Sequence, residues 1–323
     1  MPEVARHFRR NSILAFALVY FFWGSTYLGI AVAVEHIGAP LMGGLRFTIA
    51  GVLLLAWCVL TGRCVEISVP EAIRLAVIGI LLLSIGNVVL AWAEETVPTG
   101  LAALIVSITP LWFLVIETWI FRGDHLSRRG IAGLLLGIGG IVVLLWPKLT
   151  ATTALGHKEL WASVALLGGS LSWALGSVLS KRWSTSADAF VGAAWQMTFA
   201  GLVNFGVAAV VHDYAHAVWT VRGLSAIAYL IIFGSWVGFS AYIWLLKNVP
   251  MPKVATYAYV NPVVAVFLGW LILHERVDAY ILGGSAIIVA GVALVTSAKV
   301  KNKQGALEPE PEPDLPACES AGD

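Results

Sequence analysis

Residues 47–51 read Phe-Thr-Ile-Ala-Gly, and residues 197–201 read Met-Thr-Phe-Ala-Gly. The two stretches lie 150 positions apart, each inside a long apolar run. The same shift sets Trp23 on Trp173. At a shift of 152, Val97-Pro98 falls on Val249-Pro250 and Thr109-Pro110 on Asn261-Pro262. At 151, Asp124 meets Glu275, Gly133 meets Gly284 and Gly140 meets Gly291. Collinear matches of this kind mark an internal duplication, with the drift that one or two loop insertions produce.

The duplicated material is membrane protein. Of 323 residues, 59% are hydrophobic and only 12% charged, about half the share of roughly 25% found in soluble domains. Mean hydropathy is +0.85. A water-soluble core could not hide so much apolar surface, which excludes the soluble enzyme folds. A net charge of +1 gives no sign of a nucleic-acid partner. Spanning the hydrocarbon takes about 20 mostly apolar residues. Ten runs qualify, at about 13–34, 40–61, 72–93, 97–121, 130–147, 160–180, 189–211, 223–246, 253–273 and 279–298. Period-2 alternation is absent, so a β-barrel is not expected. The first run is longer than the roughly 7–15 residues of a signal-peptide core, and it reads as an uncleaved first helix.

Each half therefore holds five spans, and an odd number makes the second half enter the membrane from the opposite side. The expected fold is an all-α integral membrane protein of ten transmembrane helices, arranged as two inverted five-helix repeats. The expected segments are a cytoplasmic N-terminus (1–12), repeat 1 (13–147), an external linker (148–159), repeat 2 (160–298) and a disordered cytoplasmic tail (299–323). The tail alternates charge and proline from Glu308 to Pro313, which neither helix nor core can use. With both termini inside, 15 Lys and Arg fall in inner segments and 4 in outer ones, as the positive-inside rule requires.

Paired interrupted helices at matching places in inverted repeats point to a transporter site. Pro110 and Pro262, each preceded by a polar residue (Thr109, Asn261), fit this pattern. Each proline removes a backbone hydrogen bond, freeing the carbonyls of Val106 and Ala258. Charges in the bilayer are costly and face protein or water. Arg46 lies about 9 Å into the second helix at helical rise, and its repeat mate is the uncharged Gln196. It shares the outer leaflet with Glu94, Glu95 and Glu275, so an outer-gate salt bridge is its first reading and substrate binding its second. Glu117, close to Arg122, reads first as a surface ion pair and second as a proton carrier. Trp23, Trp173, Tyr242, Tyr257 and Tyr259 are expected to line an apolar cavity with polar tips, and Asn87 to donate across helices or touch substrate. Glycine faces at Gly133, Gly137 and Gly140, and at Gly284 and Gly291, allow close helix packing. They fit packing within the chain and leave the oligomeric state open. The three cysteines and the histidines, which lie at or beyond the ends of the apolar runs, offer no metal-site spacing. No metal or cofactor is expected.

These residues resemble the EamA family of the drug/metabolite transporter superfamily. The resemblance rests on WGSTY (Trp23 to Tyr27), the pair Arg46-Phe47, TYAYVNPVVAVFLG (Thr256 to Gly269), and His274-Glu275-Arg276 followed by Gly283-Gly284. It covers about residues 14–146 and 162–297. Within the family the likeness is to YedA-type inner-membrane exporters, which share the AYVNPVVAV run, the Val-Pro after the third helix and the SWAxGS motif (Ser172 to Ser177). The resemblance implies a bacterial inner-membrane location, a central cavity between the halves, and export of small metabolites, amino acids or drugs. Asp124 stands where the signature has glutamate, and Gln196 where the YedA type carries a carboxylate. If that carboxylate couples protons, this chain couples differently.

The leading functional reading is thus a secondary active exporter working by alternating access, without ATP since no P-loop is visible. Its partners are a small-molecule substrate and the lipid bilayer. Proton exchange is the expected coupling, with Glu117, Glu94 or Glu95 as carriers. The alternatives are a passive facilitator or channel, and a membrane-embedded enzyme, which would need a clustered catalytic set that the sequence does not show.

Overall fold

A computed structural model describes residues 2–121, 128–150, 154–183 and 185–297. Among the described residues the secondary structure is helical, with no strand. The main helices are α1 (Phe8–Val34), α2 (Ala39–Leu60), α3 (Val69–Ala93), α4 (Thr99–Val115), α5 (Arg128–Leu149), α6 (Gly156–Arg182), α7 (Ala189–Val210), α8 (Val221–Asn248), α9 (Tyr257–Ile272) and α10 (Ala279–Ser297). Six of them, α1, α2, α3, α6, α7 and α8, are long and apolar enough to cross a membrane. Trp92, Trp119, Trp146, Trp161 and Trp219 are exposed, as aromatic residues facing lipid and headgroups should be.

Local chemistry sets the helix starts. Pro40 and Pro70 occupy first-turn positions of α2 and α3, where a missing N–H costs nothing. Glu71 reaches back to the Ser68 N–H at 3.1 Å. Asp188 caps α7, accepting from the N–H groups of Phe190 at 2.6 Å and Val191 at 3.0 Å. Asp213 accepts from the Leu41 N–H at 3.1 Å, so the link after α7 holds the start of α2. At the other end Arg63, just past α2, pairs with Asp188 at the start of α7.

The most extensive pairings join α2 to α7 and α5 to α10. Both pairs are repeat mates, and both contacts are reciprocal. A Cβ at Gly51 would fall 2.7 Å from the backbone nitrogen of Thr198, and one at Gly201 would fall 2.9 Å from the Cα of Thr48. A Cβ at Gly140 would lie 2.9 Å from the nitrogen of Ile288, and one at Gly291 would lie 2.7 Å from that of Gly137. Numbers rise along one helix while they fall along its mate, so each pair runs antiparallel. Reciprocity of residue i with j and of their mates is the mark of a two-fold relation. The stretches at 47–51 and 197–201 are thus the crossing point of the two halves, and their glycines let backbone touch backbone.

A leucine at 201 would run into Thr48, whose hydroxyl and main-chain nitrogen both crowd the Cβ position, and the main chain cannot move aside as a long side chain could. Overpacking costs about 1–3 kcal/mol, occasionally more. Gly201→Leu should lower the thermal midpoint and yield of purified protein. Gly206→Leu, on the same helix with nothing within 4 Å of its Cβ position, should leave both unchanged. Equal behaviour of the two variants would remove the crossing-point account.

Helices α3 and α8 both change register at matched positions. Ile80–Asn87 and Leu230–Phe239 are π-helical, and their first residues are repeat mates. Val19–Trp23 in α1 is π-helical too. Such segments recur at functional sites because they turn side chains out of the α register.

The two proline-bearing helices differ from the expected symmetry. In α4 the helix breaks at Ser107 and Ile108 and restarts at Thr109, with Pro110 in its first turn. The Val106 carbonyl is taken by the Thr109 hydroxyl at 2.6 Å, so a neighbouring side chain supplies what the ring removes. In the second half the break comes at Ala255 and Thr256, before α9, and Pro262 lies inside the continuous helix. The Thr256 hydroxyl there bonds the Lys253 carbonyl at 2.5 Å and the Tyr20 hydroxyl at 2.6 Å.

Candidate functional site

A cavity of about 60 Å³ lies where the halves meet. Trp23, Asn87, Trp173, Tyr257 and Asn261 line it, together with Arg46, whose first reading from sequence is an outer gate. Trp23 and Trp173, repeat mates, touch edge to face across the two-fold with ring centres 5.4 Å apart. Tyr242 and Tyr257 complete an aromatic cluster: Trp23 lies 4.7 Å from Tyr242 and 5.5 Å from Tyr257, and the two tyrosines are 5.7 Å apart. The polar tips are anchored. Trp23 donates to the Gly234 carbonyl at 3.1 Å. Trp173 donates to the Tyr242 hydroxyl at 3.2 Å, which shares a further bond of 2.7 Å with Ser177. Indole and phenol rings pinned in this way make a rigid plug with an apolar face.

Arg46 is 3% exposed. Its Nε donates to Ser235 Oγ at 2.8 Å and one terminal nitrogen to Asn87 Oδ1 at 3.2 Å. The guanidinium also lies 4.8 Å over the Phe47 ring. Neutral acceptors, rather than the carboxylates of the expected latch, hold it in place. Both acceptors come from the π-helical stretches of α8 and α3, one from each half. Asn261 is 4% exposed, and its carbonyl oxygen has no partner. A buried unpaired acceptor facing a cavity is costly unless a ligand or water satisfies it. Asn261→Ala should weaken ligand affinity by about tenfold with little change in expression, given about 1.4 kcal/mol per decade. A change in expression alone would make the residue structural.

The carboxylates divide. Glu275 accepts from the Thr99 N–H at 2.7 Å, the Thr99 hydroxyl at 3.0 Å and the Gly100 N–H at 3.2 Å. It caps α4, tying that helix to the link between α9 and α10. Glu94, at the end of α3, is 8% exposed and neither of its oxygens has a partner. Burial, reinforced by Glu275 and opposed by the positive charge of Arg46, pushes the Glu94 carboxyl well above the ordinary carboxylate range. Glu95 is exposed. The side chains of Glu117 and Tyr259, and residue Asp124, lie outside the described residues.

Several expected lining residues stand back from the cavity. Thr109, Pro110 and Pro262 are buried in helix packing. Gln196 is 2% exposed, its side-chain oxygen is unpartnered, and it is not among the lining residues.

The fold matches a crystal structure of a protein that is 20% identical, with a TM-score of 0.64 over 89% of this chain and 96% of that one. The pattern of the EamA-like transporter family matches residues 10–146 and 160–297. The chain belongs to the EamA-like transporter family. It is 35% identical over 285 residues to the inner membrane transporter YedA of Escherichia coli (strain K12), covering 88% of this chain and 90% of that protein. It is 23% identical to the transporter YvbV of Bacillus subtilis (strain 168), covering 93% and 96%. Family and relatives are transporters, not enzymes.

Within this EamA chain, sequence reasoning passed over Ser235 and took Ser177 only as the end of the SWAxGS motif; their hydroxyls hold Arg46 and Tyr242. A signal existed for Ser235. It is the one hydroxyl in the apolar run LIIFGSWVGF (Leu230 to Phe239), which the duplication aligns with the stretch containing Asn87.

Proposed function

We propose that the protein is a secondary active exporter of small metabolites, amino acids or drugs, embedded in a bacterial inner membrane with both termini in the cytoplasm. Ten spans in two inverted units, 13–147 and 160–298, would rock about the α2–α7 and α5–α10 crossings, with 148–159 as the outer link and 299–323 as a cytoplasmic tail. The observation that carries this reading is the small cavity on the two-fold, plugged by aromatic rings and flanked by a buried guanidinium. About 60 Å³ holds a few waters, whereas ligand pockets occupy about 300–1,000 Å³. A cargo must therefore open the site, which fits alternating access and disfavours a standing pore.

Proton exchange is the coupling this geometry supports, with Glu94 as carrier. A buried carboxyl without partners takes up and gives up a proton according to which side wets it. Because Gln196 is no carboxylate, Glu94 near Arg46 offers an alternative place for the proton. Cargo is sought by thermal shift of purified protein against amino acids, nucleosides and aromatic drugs, since ligands of the folded state raise its stability. The best ligand is then followed in proteoliposomes. Accumulation above equilibrium, driven by an imposed pH gradient, is expected. Flux that ignores the gradient removes proton coupling, and flux that stops at equilibrium makes the protein a facilitator.

A further inference from the structure

A second void lies away from the central one. A cleft of about 1230 Å³, some twenty times larger, is lined by α1 and α8 near the end of α2 and the start of α7. Along α8 it runs from Ile232 to Asn248, about 24 Å at helical rise and most of one bilayer core of about 30 Å. Its long wall is apolar, with Leu14 and Leu18 of α1 facing Trp236 and Trp244 of α8. The mouth is polar and sits at helix ends, where a membrane surface would lie.

Two features point to an occupant. Ser240 lines the cleft, is 3% exposed, and its hydroxyl has no partner. The mouth carries two cations and two carboxylates, Arg63, Lys247, Glu66 and Asp188. Arg63 is held rigidly, paired with Asp188 and lying 5.3 Å over Trp57 and 5.0 Å over Phe190. Lys247 donates to the Ala187 carbonyl at 2.7 Å. A guanidinium so fixed presents its remaining donors in a set direction, which suits a phosphate. Glu66 is exposed beside it and suits an ammonium.

We propose that this cleft binds a zwitterionic membrane phospholipid with a primary ammonium headgroup. Its phosphate lies at Arg63 and Lys247, its ammonium at Glu66, one acyl chain between α1 and α8, and an ester carbonyl accepts from Ser240. Balanced charge at the mouth selects it over an anionic lipid. The assignment is independent of the central cavity, the cargo and the coupling.

The test is native mass spectrometry of the full chain in mild detergent, with equal amounts of palmitoyl-oleoyl phosphatidylethanolamine and phosphatidylglycerol. Retention of the ethanolamine lipid about tenfold over the glycerol lipid is expected, roughly one decade of affinity. Ser240→Trp fills the cleft and should remove that retention. Should this variant fail to fold, Glu66→Gln decides, because it leaves the apolar wall intact and should bring the two lipids to near-equal retention. Equal retention by the unaltered chain, unchanged selectivity in Glu66→Gln, or a doubled mass showing a second copy seated on this face would overturn the assignment.

Discussion

Arg46→Ala should reduce transport by at least about tenfold in protein that inserts normally. The guanidinium is buried and bonds Ser235 on α8 and Asn87 on α3. Its removal leaves both groups unpaired beside a cavity, at about 1–3 kcal/mol each, against about 1.4 kcal/mol per decade of rate or affinity. It also cuts a link between the two halves and exposes an apolar gap over Phe47. Arg46→Lys should recover little, because an ammonium cannot reproduce the planar fork that spans two acceptors. Wild-type flux in correctly inserted Arg46→Ala protein would reduce the residue to a packing element.

The second large effect concerns the proton. Glu94→Gln is expected to abolish gradient-driven flux while leaving exchange of cargo at equal pH within about twofold, a difference too small to register as a lost interaction. The variant fixes the uncharged state, so steps needing only that state continue and steps needing release of the proton stop. Stability supplies an independent reading. The folded protein keeps the proton on Glu94 above the ordinary value of 4.5 at which the unfolded chain releases it. The native state then binds more protons than the unfolded one, and stability falls as pH rises through that window. Glu94→Gln should flatten this fall in the thermal midpoint measured from acid to neutral pH. A parallel slope in both proteins would show that the carboxyl ionises normally.

Much of the framework could be read directly from the chain. Hydropathy and the 150-residue shift gave the helical class and the duplication, and the antiparallel α2–α7 and α5–α10 contacts fall on the very glycines that match. Trp23 and Trp173 were paired by the same shift, and they meet on the axis. What escaped notice has physical causes. Nothing in the sequence says that Glu94 loses its hydration, since that depends on how closely α3, the α9–α10 link and α2 approach. Glu275 reads as one acidic residue among several until the N-terminus of α4 is brought against it. Pro110 and Pro262 look equivalent as letters, yet one restarts a helix and the other is carried inside one. The cleft lined by α1 and α8 is a gap in the packing, and no residue announces a gap.

The Gly51–Gly201 crossing has a mechanical corollary. Each glycine bears on the main chain and short hydroxyl side chain of a threonine, Thr198 or Thr48, with no long side chain between to be squeezed, so the contact acts as a pivot and the helices as levers upon it. Displacement then grows with distance. A helix end about 18 Å from mid-membrane, at 1.5 Å per residue, sweeps about 3 Å for a tilt of about 10°, while residues at the pivot scarcely travel. Spin labels at the tips of α3 and α8 should report large distance changes when cargo is added, and labels flanking residues 48 and 201 should report almost none.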